Sequence, residues 1–161
     1  MIELSIVERY IYGQLKPYFT STLGLRVEIM PFDLHTFQND GVNENVPVIY
    51  YRYVSGDDKN AIGPGRRLMS TVVYEIGVFH DANSFGAVFG LPVGPSVTLL
   101  TMLNYIDAAF QDNALPVNQT GGVIFSIERT APIRIPERGP DGRLYKRDGG
   151  LFKFTVRKDP Q

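Results

Sequence analysis

The chain contains no cysteine and no tryptophan, and its 161 residues include only two histidines. The absence of cysteine excludes disulfides, thiolate nucleophiles and cysteine-ligated zinc. The isolated positions of His35 and His80 argue against a histidine-based metal site, and the sequence predicts no metal and no cofactor. No apolar run approaches the ~20 residues of a membrane span, and the amino terminus lacks the basic and apolar regions of an export signal. We therefore expect a protein that makes no membrane contact and stays in the compartment where it is synthesised.

The net charge of the chain is small, but the charged residues are unevenly distributed. The formal net charge is −1 at pH 7. Residues 1–125 carry 7 Lys and Arg against 12 Asp and Glu, whereas residues 126–161 carry 9 against 5. If the fold keeps these parts separate, one side of the molecule is complementary to the opposite side of an identical copy, which favours head-to-tail association into rings or filaments. The alternative is that the two kinds of charge intermingle in the folded chain.

Two segments have the apolar periodicity of amphipathic helices. Ser5 and Glu8 have capping-box spacing and predict the start of the first helix, which Pro17 then kinks or stops. Ser96 is the predicted N-cap of the second helix. The apolar faces consist of Val7, Tyr10, Ile11, Leu15, Tyr18 and Phe19 in the first helix and of Leu99, Leu100, Leu103, Ile106 and Phe110 in the second. Both faces must be covered by other parts of the fold, so each helix is expected to pack on a sheet.

Five segments are rich in β-branched and aromatic residues or alternate apolar with polar residues, as strands do. They cover residues 25–30, 46–54, 70–80, 121–130 and 150–158. The order of one helix, three strands, one helix and two strands predicts an α+β fold, with a mainly antiparallel sheet of about five strands and two helices packed on one face. The length suits a single domain over residues 1–161. Within the third strand, Gly77 predicts a bulge or the close approach of another backbone.

The connection between the last two strands is longer than a hairpin needs and is rich in proline and arginine. We predict a long, irregular and basic arm at residues 131–149, and a second exposed loop at residues 56–68, as the places to expect function. The candidate interface residues are Arg134, Arg138, Arg143, Tyr145, Lys146 and Arg147 in the arm and Asp57, Asp58, Arg66 and Arg67 in the loop. Acidic residues lie among the basic ones and the pI is about 6.1, so the arm suits an acidic protein surface better than a nucleic-acid backbone.

Three short motifs could carry chemistry, and each has a simpler explanation. His80 and Asp81 place a base beside a carboxylate at a strand end, but no Gly-x-Ser-x-Gly elbow or cysteine nucleophile accompanies them. Residues 63–67 lack the glycine frame and the lysine of a phosphate-binding loop. Asp57 and Asp58 stand without further oxygen ligands at the spacing of a calcium loop. These patterns favour a histidine bonded to a turn aspartate, a solvated turn and a polar loop tip, and we predict that the chain is not an enzyme.

The order of the elements and several local sequences follow a known pattern. An amino-terminal helix precedes the Val-Pro-Val-Ile-Tyr-Tyr-Arg-Tyr strand at residues 46–53 and a long strand that ends in His80 and Asp81. A helix at residues 97–110 then leads to the last two strands. In this layout the chain resembles the tail terminator proteins of long-tailed bacteriophages, which are also called tail-completion or tail-to-head joining proteins.

The likeness covers nearly the whole chain and is strongest in its last quarter. Residues 136–145 have the sequence Pro-Glu-Arg-Gly-Pro-Asp-Gly-Arg-Leu-Tyr, and the Phe-Lys-Phe-Thr-Val-Arg strand at residues 152–157 follows. The chain departs from shorter members of the family by the glycine-rich stretch at residues 81–95. This difference affects the expected geometry between subunits.

The resemblance implies a structural virion protein. The implied assembly is a homohexameric ring that caps the tail tube, stops its polymerisation and joins the tail to the head. Its partners would be copies of itself, the tail tube protein and the head-connector or stopper protein, with DNA passing through the ring lumen without sequence-specific binding. The protein would be made in the host bacterial cytoplasm and become part of the tail or neck of the virion. The alternatives are another phage neck or capsid accessory protein of similar fold, or a small α+β ligand-binding domain or enzyme that uses His80 and Asp81 with Arg66 or Arg67.

Overall fold

The computed structural model describes residues 4–25, 27–32, 48–59, 69–81, 88–89, 97–111, 114–138, 142 and 144–159. Two helices occupy Leu4–Pro17 (α1) and Leu99–Gln111 (α2), and a π-helical turn at Tyr18–Thr22 continues α1. The strands are Glu28–Pro31 (β1), Val48–Lys59 (β2), Met69–Asp81 (β3), Val88–Phe89 (β4), Val97–Thr98 (β5), Val117–Gln119 (β6), Gly122–Arg138 (β7) and Leu144–Lys158 (β8). The described part of the chain is therefore α+β, as the sequence predicts.

Six of the strands form one mixed sheet in the order β1-β2-β3-β8-β7-β6. β1 runs parallel to β2, and every other neighbouring pair in this sheet is antiparallel. β4 and β5 form a separate two-stranded sheet. The large sheet agrees broadly with the prediction and has one strand more, because the three-residue strand β6 is too short to show an apolar alternation in the sequence.

The ends of α1 follow local sequence signals. The helix is already formed at Leu4, one residue before the predicted start. Its α-helical part ends at Pro17, where the missing N–H and the ring disfavour continuation. Gly24 has a φ of 65°, and the Leu25 N–H donates to Phe19 O at 2.8 Å. Gly24 therefore ends the helical segment, since glycine takes this left-handed conformation without steric cost.

The start of α2 is capped by a residue that differs from the predicted one. Ser96 lies outside the described residues. The Thr98 hydroxyl accepts the Thr101 N–H at 3.2 Å and therefore satisfies one of the unpaired donors at the helix start.

The main core lies between the two helices and one face of the sheet, which we call the helix face. Buried apolar side chains from both helices meet alternate residues of the central strands. They are Ile6, Val7, Tyr10, Ile11 and Leu15 from α1, Leu99, Met102, Ile106, Ala109 and Phe110 from α2, and Ile49, Tyr51, Val72, Tyr74, Ile76, Val78, Phe152, Phe154 and Val156 from the sheet. Burying one such side chain contributes about 1.5–3 kcal/mol, so this cluster is the main source of stability in the described structure.

A smaller cluster lies on the opposite side of the sheet, which we call the outer face. Val48, Tyr50 and Phe79 are buried there, and Phe32 packs against them from the end of β1. The Phe32 ring contacts Tyr50 and Phe79 edge-on, with centroids 5.4 and 6.0 Å apart. The outer face is therefore partly buried around Phe32, although both helices pack on the other face.

Two glycines bring β3 and β8 unusually close together. Gly77 and Gly149 are directly opposite in the register of the two strands. A Cβ atom built on Gly77 would lie only 2.8 Å from the Gly149 Cα and would overlap the Asp148 carbonyl oxygen. The prediction of a close backbone approach at Gly77 is confirmed, and its physical reason is the need for two residues without side chains at one cross-strand position.

Within the predicted irregular arm at residues 131–149, residues 131–138 and 144–149 form paired strands instead. β7 has 17 residues and β8 has 15, and they pair along nearly their whole length as a long antiparallel hairpin. Pro132 and Pro136, which suggested an irregular segment, are accommodated because β6 covers β7 only as far as Ile124. Beyond that point, within the described residues, β7 is an edge strand, where a proline nitrogen can face away from the ladder.

Bulges in β7 change which face its side chains occupy. The first bulge lies between Ile124 and Ser126, and a second follows Arg129. Because of the first bulge, Val123 and Ile127, which a regular strand would place on the same face, lie on opposite faces of the sheet. No residue of β7 beyond Ile124 is buried. Most of this strand therefore contributes little to either core.

Candidate interaction site on the long hairpin

Five of the predicted arm residues lie on the hairpin: Arg134 and Arg138 on β7, and Tyr145, Lys146 and Arg147 on β8. Arg138 is exposed near the end of β7, and its guanidinium donates to Gly142 O at 3.2 Å. The Tyr145 ring stacks on Phe79, with centroids 5.0 Å apart. Near the end of the hairpin, the charge of Arg138 is therefore exposed to solvent. The ring of Tyr145 packs the same part of the hairpin against the outer face.

The remaining predicted contact residues are only partly described. Arg143, Arg66 and Arg67 lie outside the described residues. Asp57 is exposed on β2, which extends to Lys59 and so includes residues expected in a loop. Asp58 follows Asp57 in the same strand.

Glu75 on β3 is the centre of a buried charge network on the outer face. Its carboxylate accepts hydrogen bonds from the Tyr50 hydroxyl at 2.5 Å, from Arg147 Nη1 at 2.6 Å and from Arg52 Nη2 at 3.1 Å. Arg147 Nη2 also lies 2.8 Å from Glu137 Oε1 on β7. The side chains of Glu75 and Arg147 are 1 % and 4 % exposed. We call these five residues the outer-face network; its two carboxylates and two guanidinium groups balance, as buried charges require.

Phe32 shields the outer-face network. Its ring centroid lies 4.9 Å from the Arg147 guanidinium carbon and 5.8 Å from that of Arg52. These distances allow cation–π attraction in addition to the ion pairs. Burial, reinforced by the hydrogen bond to Glu75, raises the pKa of Tyr50 far above its ordinary value, so its hydroxyl is a permanent donor. Arg147 is thus a structural residue of the hairpin and not the exposed contact that the sequence suggests.

A second network lies on the helix face and includes His80. Its Nε2 lies 2.7 Å from Asp148 Oδ2, and Arg134 Nε donates to Asp148 Oδ1 at 3.0 Å. Because Asp148 accepts from Arg134 as a carboxylate, Nε2–H of His80 is the donor in the other contact. His80 and Asp148 are each 3 % exposed, whereas Arg134 is 68 % exposed. We call these three residues the helix-face network.

His80 has a partner that the sequence did not suggest. The Nε2 atom of its ring bonds Asp148, which is 68 residues away in the chain. The side chain of Asp81, the predicted partner, lies outside the described part of the chain. His80 is enclosed by the fold, which leaves it without the solvent access that a catalytic base needs for a substrate.

The two networks lie back to back across β8. Arg147 and Asp148 are adjacent, and strand geometry directs one to the outer face and the other to the helix face. The close approach of Gly77 and Gly149 follows immediately after them. β8 is therefore fixed to its neighbours from both sides at the same point, which holds the hairpin rigidly on the sheet.

A cleft of about 380 Å³ separates α2 from the hairpin on the helix face. Its lining is both apolar and charged: Leu100, Leu103, Pro132 and Phe152 provide apolar groups, and Asn104, Asp107, Arg129, Arg134 and Asp148 provide polar ones. Leu100, which was predicted on the apolar face of the helix, is 68 % exposed here. This volume falls within the range of about 300–1,000 Å³ that is typical of binding clefts.

An ion pair between α2 and β7 closes one side of the cleft. Arg129 Nη1 donates to Asp107 Oδ2, and the side chains are 47 % and 27 % exposed. Partial burial raises the pKa of Asp107, and the nearby Arg129 charge opposes that rise. The pair links the helix to the hairpin while remaining accessible to solvent.

Two strands of the large sheet have half-open edges in the described residues. β6 pairs with β7 only at Gly122, Val123 and Ile124, which leaves residues 125–138 without a described neighbour on that side. β1 pairs with β2 only at residues 48–51, which leaves residues 52–59 open on the other side of the sheet. Unpaired backbone groups on such edges are able to bind another strand.

Among the residues that the structure describes, no group of histidine, cysteine, aspartate and glutamate side chains is arranged to hold a metal ion. The described helices include none that is long and apolar enough to cross a membrane. Searches against protein-family models and against curated protein sequences find no match to this chain.

The sequence interpretation missed the residues that fix the hairpin in place. The sequence predicts a strand at residues 70–80 without assigning a role to Glu75, and Phe32 lies outside every predicted helix and strand. A usable signal existed for Glu75, since it stands between Tyr74 and Ile76 in a long apolar strand, where a buried charge needs a partner of opposite sign. The identity of that partner, Arg147, depends on the strand register and has no local signal.

Proposed function

We propose that this chain is a structural subunit of a bacteriophage particle, a tail terminator that forms a hexameric ring on the end of the tail tube. The ring stops polymerisation of the tube and offers a docking surface to the head connector or stopper protein. DNA passes through its lumen without sequence-specific binding. The subunit acts by occupying a growing edge, and no covalent bond is made or broken.

The observation that carries the proposal is the extent of the hairpin beyond the core. β7 has 17 residues, and after Ile124 none of them is buried. A strand of this length that contributes so little to the core is not explained by the stability of a single copy. The same strand is attached to β8 by two ion pairs, Arg134 to the buried Asp148 and Glu137 to the buried Arg147, so it is exposed yet held in place, which suits a surface that must match a partner in shape.

The distribution of charge supports association between copies. β7 and β8, on one side of the sheet, carry eight Lys or Arg and three Asp or Glu, whereas β1 and β2, on the other side, carry two and three. Opposite charge on opposite sides favours a head-to-tail contact, and such contacts generate closed rings when the rotation between copies is suitable. An enzyme that uses His80 and Asp81 has less support, because His80 is enclosed and bonds Asp148.

The assembly is tested by sedimentation and negative-stain imaging of the purified chain at moderate salt, alone and with purified tail tubes. The proposal expects a ring of a single size, formed either in free solution or on the tube end. A particle that stays monomeric at every concentration and ignores the tubes would contradict it. A turnover that disappears when His80 is replaced would contradict the structural role.

The role of the hairpin tip is tested with Arg138→Glu. Arg138 is exposed and bonds only its own hairpin turn among the contacts described, so the far-ultraviolet circular dichroism should not change. Yield of infectious particles in a complementation assay should fall at least about tenfold if this cation meets an acidic partner. Arg9→Glu is the control, because Arg9 is an exposed arginine on α1, outside the hairpin, and also donates only to backbone carbonyls among the contacts described, those of Ser5 and Thr120. Equal yields from the two variants would reject the role of the tip.

A further inference from the structure

The two open strand halves lie at diagonal positions in the sheet. The strand order places β2 and β7 on opposite sides of the β3–β8 pair. β1 covers the first half of β2, and β6 covers the start of β7. In the register, the open residues 52–59 lie beside residues 69–75 of β3, whereas the open residues 126–138 lie beside residues 144–155 of β8. Within the described residues, each side of the sheet therefore has one covered and one uncovered segment.

We propose that the open half of β2 in one copy pairs antiparallel with the open half of β7 in the next copy, with the Tyr53 side chain entering the cleft beside α2. This contact rests on the ring proposed above and specifies how its subunits join. It belongs to the general mode in which an added strand supplies backbone hydrogen bonds and alternate side chains fill pockets.

The direction of the strands permits this pairing in a head-to-tail arrangement. Successive strands from β2 through β3 and β8 to β7 alternate in direction, so β2 and β7 of one copy are antiparallel. If every copy has the same orientation, β2 of one copy meets β7 of its neighbour in the antiparallel sense. The sheet then continues from copy to copy with both helices on the same side, as a heterologous contact requires.

Tyr53 lies on the correct face for the cleft. It is opposite Tyr74 in the register, and the two rings contact edge-on with centroids 6.0 Å apart, which places Tyr53 on the helix face. It is nevertheless 44 % exposed, and Val54 beside it is 42 % exposed. The cleft of the neighbouring copy is also on the helix face, and its lining includes Pro132 in the open segment of β7. An added strand would therefore direct Tyr53 to the side on which the cleft opens.

The chemistry of the cleft suits a tyrosine. Its apolar groups would contact the ring, and Asn104 on its rim would supply a hydrogen-bond partner to the hydroxyl. The Arg129 guanidinium, which is 47 % exposed, lies in the lining and would contact the aromatic face. Tyrosine and arginine are enriched among the residues that dominate interface energies.

Features of the two edges disfavour pairing between identical edges. Pro132 and Pro136 remove two backbone donors from β7, so a β7–β7 contact would lack donors on both strands. β2 has a bulge between Tyr53 and Ser55, which limits pairing of β2 with itself. In the mixed contact only one strand lacks donors at the proline positions, and the acidic Asp57 approaches a strand from the basic part of the chain.

The contact is tested by cysteine cross-linking. Because the chain has no native cysteine, only the introduced thiols can react. Ser55→Cys and Thr130→Cys place one thiol on each exposed open half. With a short thiol cross-linker, a dimer is expected only when the two variants are mixed under conditions where the unmodified chain forms multimers. As the control, Thr20→Cys, at an exposed site in the π-helical turn, is mixed with either of the two variants in place of the other. These mixtures should give no cross-linked dimer.

The outcomes separate the contact from the ring. Multimers without a cross-link in the mixture would overturn this contact and leave the ring intact. A cross-link within Thr130→Cys alone would indicate a two-fold contact and would also overturn it. Absence of multimers, both in solution and on tail tubes, would reject the contact together with the ring.

Side-chain replacement provides a second test with matched exposure. Tyr53→Lys should raise the apparent Kd for self-association at least about tenfold, because it removes the proposed anchor. Tyr12→Lys is the control, since Tyr12 is also 44 % exposed but lies on α1. Leu100→Glu, in the cleft lining, should weaken association as Tyr53→Lys does, whereas Leu4→Glu should not. Equal effects of the test and control variants would overturn the proposal.

Discussion

The two charge networks lie back to back on β8, yet water reaches them very differently. In the outer-face network, Arg147 is 4 % exposed and bonds two carboxylates beneath the ring of Phe32. In the helix-face network, Arg134 bonds one carboxylate and is 68 % exposed. The comparison shows that two arginines of one hairpin, both predicted as surface contacts, have different roles: the first belongs to the fold, and the second connects the fold to the cleft and its surface.

The largest expected effect comes from Arg147→Gln. The variant leaves the buried carboxylate of Glu75 without its closest cation, so the free energy of unfolding should fall by about 3–5 kcal/mol. Urea denaturation measures this change. As a control, Arg147→Met combined with Glu75→Leu replaces the charges with apolar groups and should recover much of the loss. A loss below about 1 kcal/mol for the single variant would show that the network is open to water.

A smaller loss is expected from Gly149→Ala, which acts where the two networks meet. The added Cβ would overlap the Ile76 carbonyl oxygen on β3, so the strands must separate. The free energy of unfolding should fall by about 1–3 kcal/mol, measured by urea denaturation. Gly13→Ala is the control, because nothing lies within 4 Å of a Cβ at that helical position. It should stabilise the protein by up to about 1 kcal/mol, and a similar gain at Gly149 would refute the close approach.

Arg134→Gln should cost less than about 1 kcal/mol, because the lost ion pair is largely solvated on the arginine side and Asp148 keeps its bond to His80. The informative measurement is the ratio of this loss to that of Arg147→Gln under identical denaturation conditions. Comparable losses from the two variants would remove the distinction between a closed and a half-open network.

The smallest expected effect is the pH dependence at Asp107. Since burial raises the folded-state pKa of this carboxyl, the folded protein binds its proton more tightly than the unfolded chain does. The resulting stabilisation is present at low pH and is lost as pH rises through the raised pKa. The stability of the unmodified protein relative to Asp107→Asn should therefore decline by less than about 1 kcal/mol from about pH 4 to about pH 7. Thermal unfolding of both proteins at the two pH values measures this difference in stability. A difference that grows as pH rises would contradict the raised pKa of Asp107.

Local patterns predicted the class of fold and the individual elements well. The stripe on α1, the inward positions Phe152, Phe154 and Val156, and the close approach at Gly77 depend on residues that are neighbours within one helix or strand or on the special properties of glycine. The hairpin was predicted wrongly as irregular because Pro132 and Pro136 are strong breakers in a central strand and are acceptable on an edge. Whether a strand is central or at an edge is a property of the whole sheet.

Only part of the candidate site was predicted, because some of its properties are local to the sequence and others depend on the whole sheet. The sequence identified a basic segment near Arg134 and Arg138 and an acidic residue at Asp57, because charge is visible in composition. It could not separate Arg147 from Arg134, since burial depends on which strands surround a residue. The cleft was also invisible, because α2 and β7 meet there only in three dimensions.

By itself the sequence determined the α+β class, the apolar face of α1, the alternation of β8 and the absence of disulfide chemistry, because each of these follows from residue type and short-range spacing. Tertiary structure alone decided that Arg147 meets Glu75 across 72 residues and that His80 meets Asp148 across 68. The physical reason is that strand register joins residues far apart in the chain, and a shift of one residue would send each side chain to the other face.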